Sequence, residues 1–166
     1  MNPITVGKVI ADFEAQATGN KAIKLTDYRG RYVVIYFYPK DNTPGCTLEG
    51  QAFRDAYEQF TALNAVILGV SRDSVRVHEG FKDKQTLPFD LLSDADEKLC
   101  AMFDVIKMKT LYGKQVRGIE RSTFLIDPQG VLIRAWRKVK VKNHSVEVLD
   151  ALTDAITNVT TQLLEK

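Results

Sequence analysis

Val33-Val34-Ile35-Tyr36-Phe37-Tyr38, running into Pro39-Lys40-Asp41-Asn42-Thr43-Pro44-Gly45-Cys46, decides the fold. The first six residues are an unbroken β-branched and aromatic run between Gly30 and Pro39. Such a run predicts a central strand buried on both faces. After Pro44 the period changes. Leu48, Ala52, Phe53, Ala56, Tyr57, Phe60 and Leu63 recur at helical spacing, with Asn64 as the stop.

Working outward, Ala65 to Val70 reads as a second buried strand, Ser74 to Gln85 as a polar helix, and Phe89 to Leu92 as a short strand. Ser93 or Asp94 caps a helix carrying Leu99, Met102 and Phe103. Thr123 to Ile126 and Val131 to Trp136 flank Asp127-Pro128-Gln129-Gly130, where Pro presets φ and Gly supplies a positive one, so a β-hairpin is expected. Asn143 caps a last helix with Val146, Leu149, Leu152, Ile156, Val159 and Leu163 on one side. Alternating strands and helices followed by a hairpin predict an α/β sandwich. Its mixed β-sheet is parallel at the centre and flanked by helices on both faces. In open sheets of this kind sites form beyond the carboxyl ends of strands, where Pro39 to Cys46 falls.

The 166 residues suit one domain, 1–166, able to bury a core without metals or disulfides. A net charge of +2 argues against nucleic acid or an anionic membrane as the main partner. The longest apolar runs are too short to span a bilayer. Met1 to Ile10 lacks a basic stretch followed by an apolar core, so no secretory leader is expected. Two cysteines exclude a disulfide framework and fit a reducing, cytoplasmic setting.

At the strand-to-helix junction Thr43 takes the N-cap and Pro44 the first helical position, so Cys46 is at N3. That slot usually holds Glu or Gln in a capping box. A thiolate there faces the positive end of the helix dipole and unpaired N–H groups, which favour the anion. The thiolate is the nucleophile. The alternative is a small buried hydrophobe. A phosphate-binding loop is disfavoured, because no Gly-Lys-Ser/Thr ending follows.

Pro39, Thr43 and Cys46 stand in a Pro-x-x-x-Thr-x-x-Cys arrangement that resembles the peroxiredoxins. The fuller run Phe37 to Asp41 with Thr43 to Thr47 and Glu49 is similar to the bacterioferritin-comigratory, or Q-type, subgroup. The likeness continues at Gly69-Val70-Ser71, Leu91 to Asp94, and Arg121 to Asp127 with Gly130, and it spans nearly the whole chain. The resemblance implies a thioredoxin-like fold and a cofactor-free, thiol-dependent peroxidase acting on hydrogen peroxide and organic hydroperoxides. It implies Cys46 as the peroxidatic cysteine that becomes a sulfenic acid. Thr43 would bond the thiolate and incoming oxygen, Arg121 would stabilise the thiolate and the leaving oxygen, and Pro39 would shield the pocket. The Gly45 and Cys46 N–H groups would donate to peroxide. Glu49 orients Arg121 or is a solvated helix-face carboxylate; both readings stand. Without the resemblance, Arg121 would pass for a surface arginine at a strand start. Peroxide offers little binding surface, so its reduction depends on alignment and on donors placed for the departing oxygen. An arginine suits that role, being always charged and forked.

The chain departs from the subgroup in its resolving cysteine. The same-helix position holds Gln51, and 74–86 contains no cysteine. This favours a one-cysteine cycle completed by an external thiol: thioredoxin, glutaredoxin or a small thiol. Cys100 reads as a packed core thiol, with an unusual Cys46–Cys100 disulfide as the alternative. A peroxide sensor or relay would use the same first step, and an inert scaffold would leave Cys46 unreactive. The subgroup resemblance leans towards a monomer. His78 and His144 lack metal-like spacing to each other or to the cysteines. Asp94, Asp96 and Glu97 fit a helix's first turn better than a calcium loop. The basic run Arg134, Arg137, Lys138, Lys140 and Lys142 is expected to solvate a strand and its exit, with Trp136 packed.

Overall fold

The computed structural model describes residues 4–165. Met1 to Pro3, part of the stretch read for a leader, lie outside the described residues. The order is β1 (Glu14–Ala17), β2 (Lys21–Lys24), a 3-10 turn (Leu25–Tyr28), β3 (Tyr32–Phe37), α1 (Pro44–Ala62), β4 (Ala65–Ser71), α2 (Val75–Gln85), β5 (Asp90–Ser93), α3 (Lys98–Met102), β6 (Ile106–Leu111), β7 (Lys114–Ile119), β8 (Ser122–Ile126), β9 (Leu132–Trp136) and α4 (His144–Leu164).

Seven strands form one mixed sheet in the order β2-β1-β5-β4-β3-β8-β9. β3 runs parallel to β4, and β4 to β5, while β8, β9, β1 and β2 add antiparallel edges. Every residue of β3 is buried, as its continuous apolar run requires. Successive side chains alternate faces. Val33, Ile35 and Phe37 pack with Leu99, Cys100, Phe103 and Phe124 on one face. Val34, Tyr36 and Tyr38 pack on the other with Phe53 and Phe60 of α1, Phe81 of α2 and Val148 and Leu152 of α4. Gly69 in β4 is required by a close approach. A Cβ there would lie 2.7 Å from Leu91 and 3.0 Å from the Tyr36 hydroxyl.

Several sequence expectations change in detail. α1 buries Phe53 and Phe60, but Leu48 points to solvent. On α4 the buried face is His144, Val148, Ala151 and Leu152, whereas Val146, Val159 and Leu163 are exposed. The apolar residues of α4 spread around the helix, and only one stripe meets the sheet. Neither Ser93 nor Asp94 is the N-cap of α3; Glu97 is. Asp94 nonetheless supplies the capping chemistry from a distance, accepting from the N–H groups of Leu99 (2.8 Å) and Cys100 (2.7 Å). Asn143 precedes α4 in a left-handed conformation and makes no side-chain cap bond.

Two hairpins have no counterpart in the sequence reading. β1 and β2 are only four residues each, with polar and small apolar residues mixed, so they carry little strand signal. Their turn residues Gly19 (φ 82°) and Asn20 (φ 53°) were the available clue. β6 and β7 form a separate two-stranded arm closed by Tyr112 (φ 52°) and Gly113 (φ 78°). No described helix is long and apolar enough to cross a membrane.

Candidate active site

The central strand β3 delivers the chain to Pro39, and seven residues later α1 presents Cys46 in its first turn. Thr43 is the N-cap residue in extended conformation, and Pro44 opens the helix. The Thr43 hydroxyl does not cap. It turns back into the loop and donates to the Lys40 carbonyl at 2.8 Å. With no side-chain cap, the N–H groups of the first turn around Cys46 have no intrahelical partner. Cys46 is buried at 2% exposure on the face that holds α1, and it forms no disulfide.

Arg121 immediately precedes β8, whose Ser122 pairs with Phe37 at the end of β3. Its Nη2 donates to Cys46 Sγ at 3.4 Å and its Nη1 to Glu49 Oε1 at 2.6 Å. Gly45 eases this approach, because a Cβ there would stand a tight 3.2 Å from Arg121 Nη2. Glu49 follows Cys46 by three residues, so both lie on the same face of α1. It is 1% exposed and faces Arg121, which decides between the two sequence readings against the solvated one. Burial pushes the Glu49 carboxyl up to about 7, with Arg121 pulling the other way. Its second oxygen is buried without a partner. The guanidinium thus bridges sulfur and carboxylate, with one donor on each.

Lys109 of β6 adds a further cation that the sequence did not single out. Its ammonium donates to the Ile119 carbonyl, two residues before Arg121. Burial lowers its pKa, and Arg121 lowers it further, while Cys46 and Glu120 oppose them. The arm that carries it is held to the body by Arg117, whose two nitrogens each lie 2.6 Å from the Glu97 carboxylate, and Arg72 reaches the same group. These bonds draw Glu97 down to about 2 and leave no calcium-like role for it.

Cys100 occupies the opposite face of the sheet, in the core cluster with Leu99 and Phe103. It is fully buried, as the core-thiol reading expects. Burial, and then a hydrogen bond to the Asp94 carboxylate, push its thiol well up. A disulfide needs Cα atoms within about 7 Å, whereas these two sulfurs belong to layers on either side of β3.

His78 and His144, which the sequence left without a role, are both buried. His144 sits against Thr123 Oγ1 at 2.7 Å and edge-on to Trp136, and burial with the nearby Arg121 charge lowers it to about 4. His78 lies with Asp41 and Asp73 in a tight cluster beneath the β3–α1 loop, the one such group of metal-capable side chains among the described residues. Each member is engaged in hydrogen bonds to protein. Of the basic run, Arg137 does more than solvate: it donates to the carbonyls of Phe103 and Asp104 and covers the Phe124 ring. Trp136 is partly buried, under Arg134.

A buried thiol in the first turn of a helix, held by a half-buried arginine on a mixed sheet flanked by helices, defines a thiol-based oxidoreductase of thioredoxin-like architecture. Residues 6–135 match the AhpC/TSA family, and the chain belongs to it. It is 54% identical over 151 residues to peroxiredoxin Bcp of Bacillus subtilis (strain 168), covering 91% of this chain and 96% of that one. A cysteine-to-serine variant of Xylella fastidiosa PrxQ superposes with a TM-score of 0.88 at 45% identity, covering 94% and 99% of the two chains. The bacterioferritin comigratory protein of Xanthomonas campestris, a structure concerned with its alkyl peroxide reduction activity, gives 0.82 at 52% identity, covering 86% and 91%. The fold is thioredoxin-like, and the enzyme class is that of a thiol-dependent peroxidase lacking the usual resolving cysteine.

Proposed function

We propose that Cys46 reduces hydrogen peroxide and organic hydroperoxides in a one-cysteine cycle. The observation that carries this is the Arg121 guanidinium, which bridges Cys46 Sγ and the buried Glu49 at the N-terminus of α1. The Cys46 thiolate attacks one peroxide oxygen. An S–O bond forms and the O–O bond breaks. The departing hydroxide or alkoxide takes a proton, giving water or alcohol, and Cys46 is left as sulfenic acid. Arg121 stabilises the thiolate before attack and the charge on the leaving oxygen during it. Glu49 aims the guanidinium. The Gly45 and Cys46 N–H groups hold the peroxide in line with the sulfur. Pro39 keeps water off the pocket, and Thr43 exchanges its bond to Lys40 for one to the incoming oxygen.

An external thiol then attacks the sulfenic sulfur, releasing water, and a second thiol frees Cys46 from the mixed disulfide. The reductant is thioredoxin, glutaredoxin or a small thiol. Cys100 stays out of the cycle: it lies across the sheet with its proton held by Asp94. The protein acts as a cytoplasmic monomer of one domain, without metal or cofactor. Steady-state peroxide consumption with a thiol reductant tests the reading. Cys46→Ser abolishes turnover and Cys100→Ser retains it within about twofold, the scale of a minor packing change. Stoichiometric oxidation of Cys46 without turnover would instead favour a sensor.

A further inference from the structure

Asp41 is the only buried residue between Lys40 and Pro44; its neighbours Lys40 and Asn42 are exposed. Its carboxylate is where the ends of several elements meet. The Tyr38 hydroxyl donates to Oδ1 at 2.6 Å, and His78 Nδ1 of α2 stands 2.6 Å from Oδ2, with both side chains of that pair wholly enclosed. The Asp41 N–H donates to Asp73 Oδ2 at 2.9 Å. Asp73 is fixed in turn by the hydroxyls of Ser71 (2.5 Å, to its carboxylate) and Ser93 (2.7 Å, to its carbonyl). His78 Nε2 faces the Leu92 carbonyl at 2.9 Å.

The proton inventory is closed. A carbonyl only accepts, so Nε2 carries a hydrogen. The Nδ1 contact to Asp41 then holds one proton, drawn either as imidazolium with carboxylate or as imidazole with carboxylic acid. Without that proton two lone pairs would face each other at 2.6 Å. A buried polar cluster of this kind is stabilising only when every member is satisfied, and it specifies one arrangement where an apolar core would tolerate several. What it specifies here is the path of the β3–α1 loop, which carries Pro39 and Thr43 and feeds directly into the turn holding Cys46.

We propose that Asp41 and His78 are positioning residues that clasp this loop to the ends of β3, β4 and β5. The clasp speeds oxidation of Cys46 by fixing Pro39, Thr43 and the first turn of α1, and it slows reduction of the sulfenic acid by keeping the sulfur enclosed. This rests on the reading of Cys46 as the peroxide-oxidised thiol.

The test separates the two half-reactions by rapid quench and intact mass, with hydrogen peroxide as oxidant and dithiothreitol as reductant. Asp41→Ala and His78→Ala oxidise Cys46 about tenfold more slowly or worse, the scale expected when a reacting group is misplaced. Their sulfenic acid is reduced faster than that of the wild type. Asp41→Asn keeps both bonds, accepting from Tyr38 through its oxygen and donating to His78 Nδ1 through its amide, and stays within about threefold in both steps. Val148→Ala on α4, chosen to match the loss of stability, shows no such opposed change. Should Asp41→Ala fail to fold, Tyr38→Phe removes a single bond and still slows oxidation. Wild-type oxidation rates in Asp41→Ala or Tyr38→Phe, or the same opposed change in Val148→Ala, would overturn the clasp alone. Wild-type protein that takes no oxygen onto Cys46 would overturn the peroxidase reading and the clasp with it.

Discussion

The two cysteines are equally enclosed, at 2% and 0% exposure, yet their surroundings are opposites. Cys46 meets a guanidinium and the N-terminus of a 19-residue helix. Cys100 meets the Asp94 carboxylate, on a helix of only five residues. At Cys100 burial penalises the thiolate. What differs is the sign of the nearest charge: a cation faces the Cys46 sulfur, whereas a carboxylate holds the Cys100 proton in place. The sheet between them then keeps the two chemistries apart.

Removing the cation is the most severe way to break this contrast. Arg121→Gln leaves a fork-shaped neutral amide in its place, and peroxide reduction by Cys46 falls about 100-fold or more, as when one preorganised donor to developing charge is lost. Stopped-flow oxidation of the purified variant reads it directly. Arg121→Lys recovers part of that loss, because a point charge remains without the two-donor bridge.

Glu49 sharpens the contrast through pH. Its carboxyl is raised to about 7, so it is ionised above that value and neutral below it. Only the ionised form makes a charge-assisted bond to Arg121. The oxidation rate therefore falls as the pH drops from 8 to 6. In Glu49→Gln that leg of the profile flattens and the rate at pH 8 declines several-fold. A rate profile in Glu49→Gln that matched the wild type would remove Glu49 from the site.

The smallest effect lies at Cys100. Asp94→Asn withdraws the carboxylate that holds the Cys100 proton, leaving burial as the main obstacle. Cys100 is alkylated by iodoacetamide only a few-fold faster in this variant, still far behind Cys46. A Cys100 that became as reactive as Cys46 would show that charge, and not burial, had kept it silent.

Much of this was legible beforehand. The run Val33 to Tyr38 announced a strand buried on both faces because nothing polar interrupts it. Thr43-Pro44 placed the start of α1, and with it Cys46 at the helix end. Arg121 came from family likeness alone, since a strand-start arginine carries no local signal of what lies 75 positions earlier in the chain. The short hairpin β1–β2 and the β6–β7 arm carry a weaker signal because their few apolar residues are interleaved with charged ones and their turns use Gly-Asn and Tyr-Gly in place of Asn-Gly. Asp41 and His78 were invisible as a pair for another reason. A polar residue in a loop and one on a polar helix both look solvated until the fold closes the 37 positions between them.

The central claim is that one thiol does the chemistry and the other is isolated from it. Intact mass and peptide mapping after one equivalent of hydrogen peroxide test this most directly. A gain of one oxygen, located on Cys46, is the expected result. A loss of two hydrogens with a linked Cys46–Cys100 peptide would contradict it.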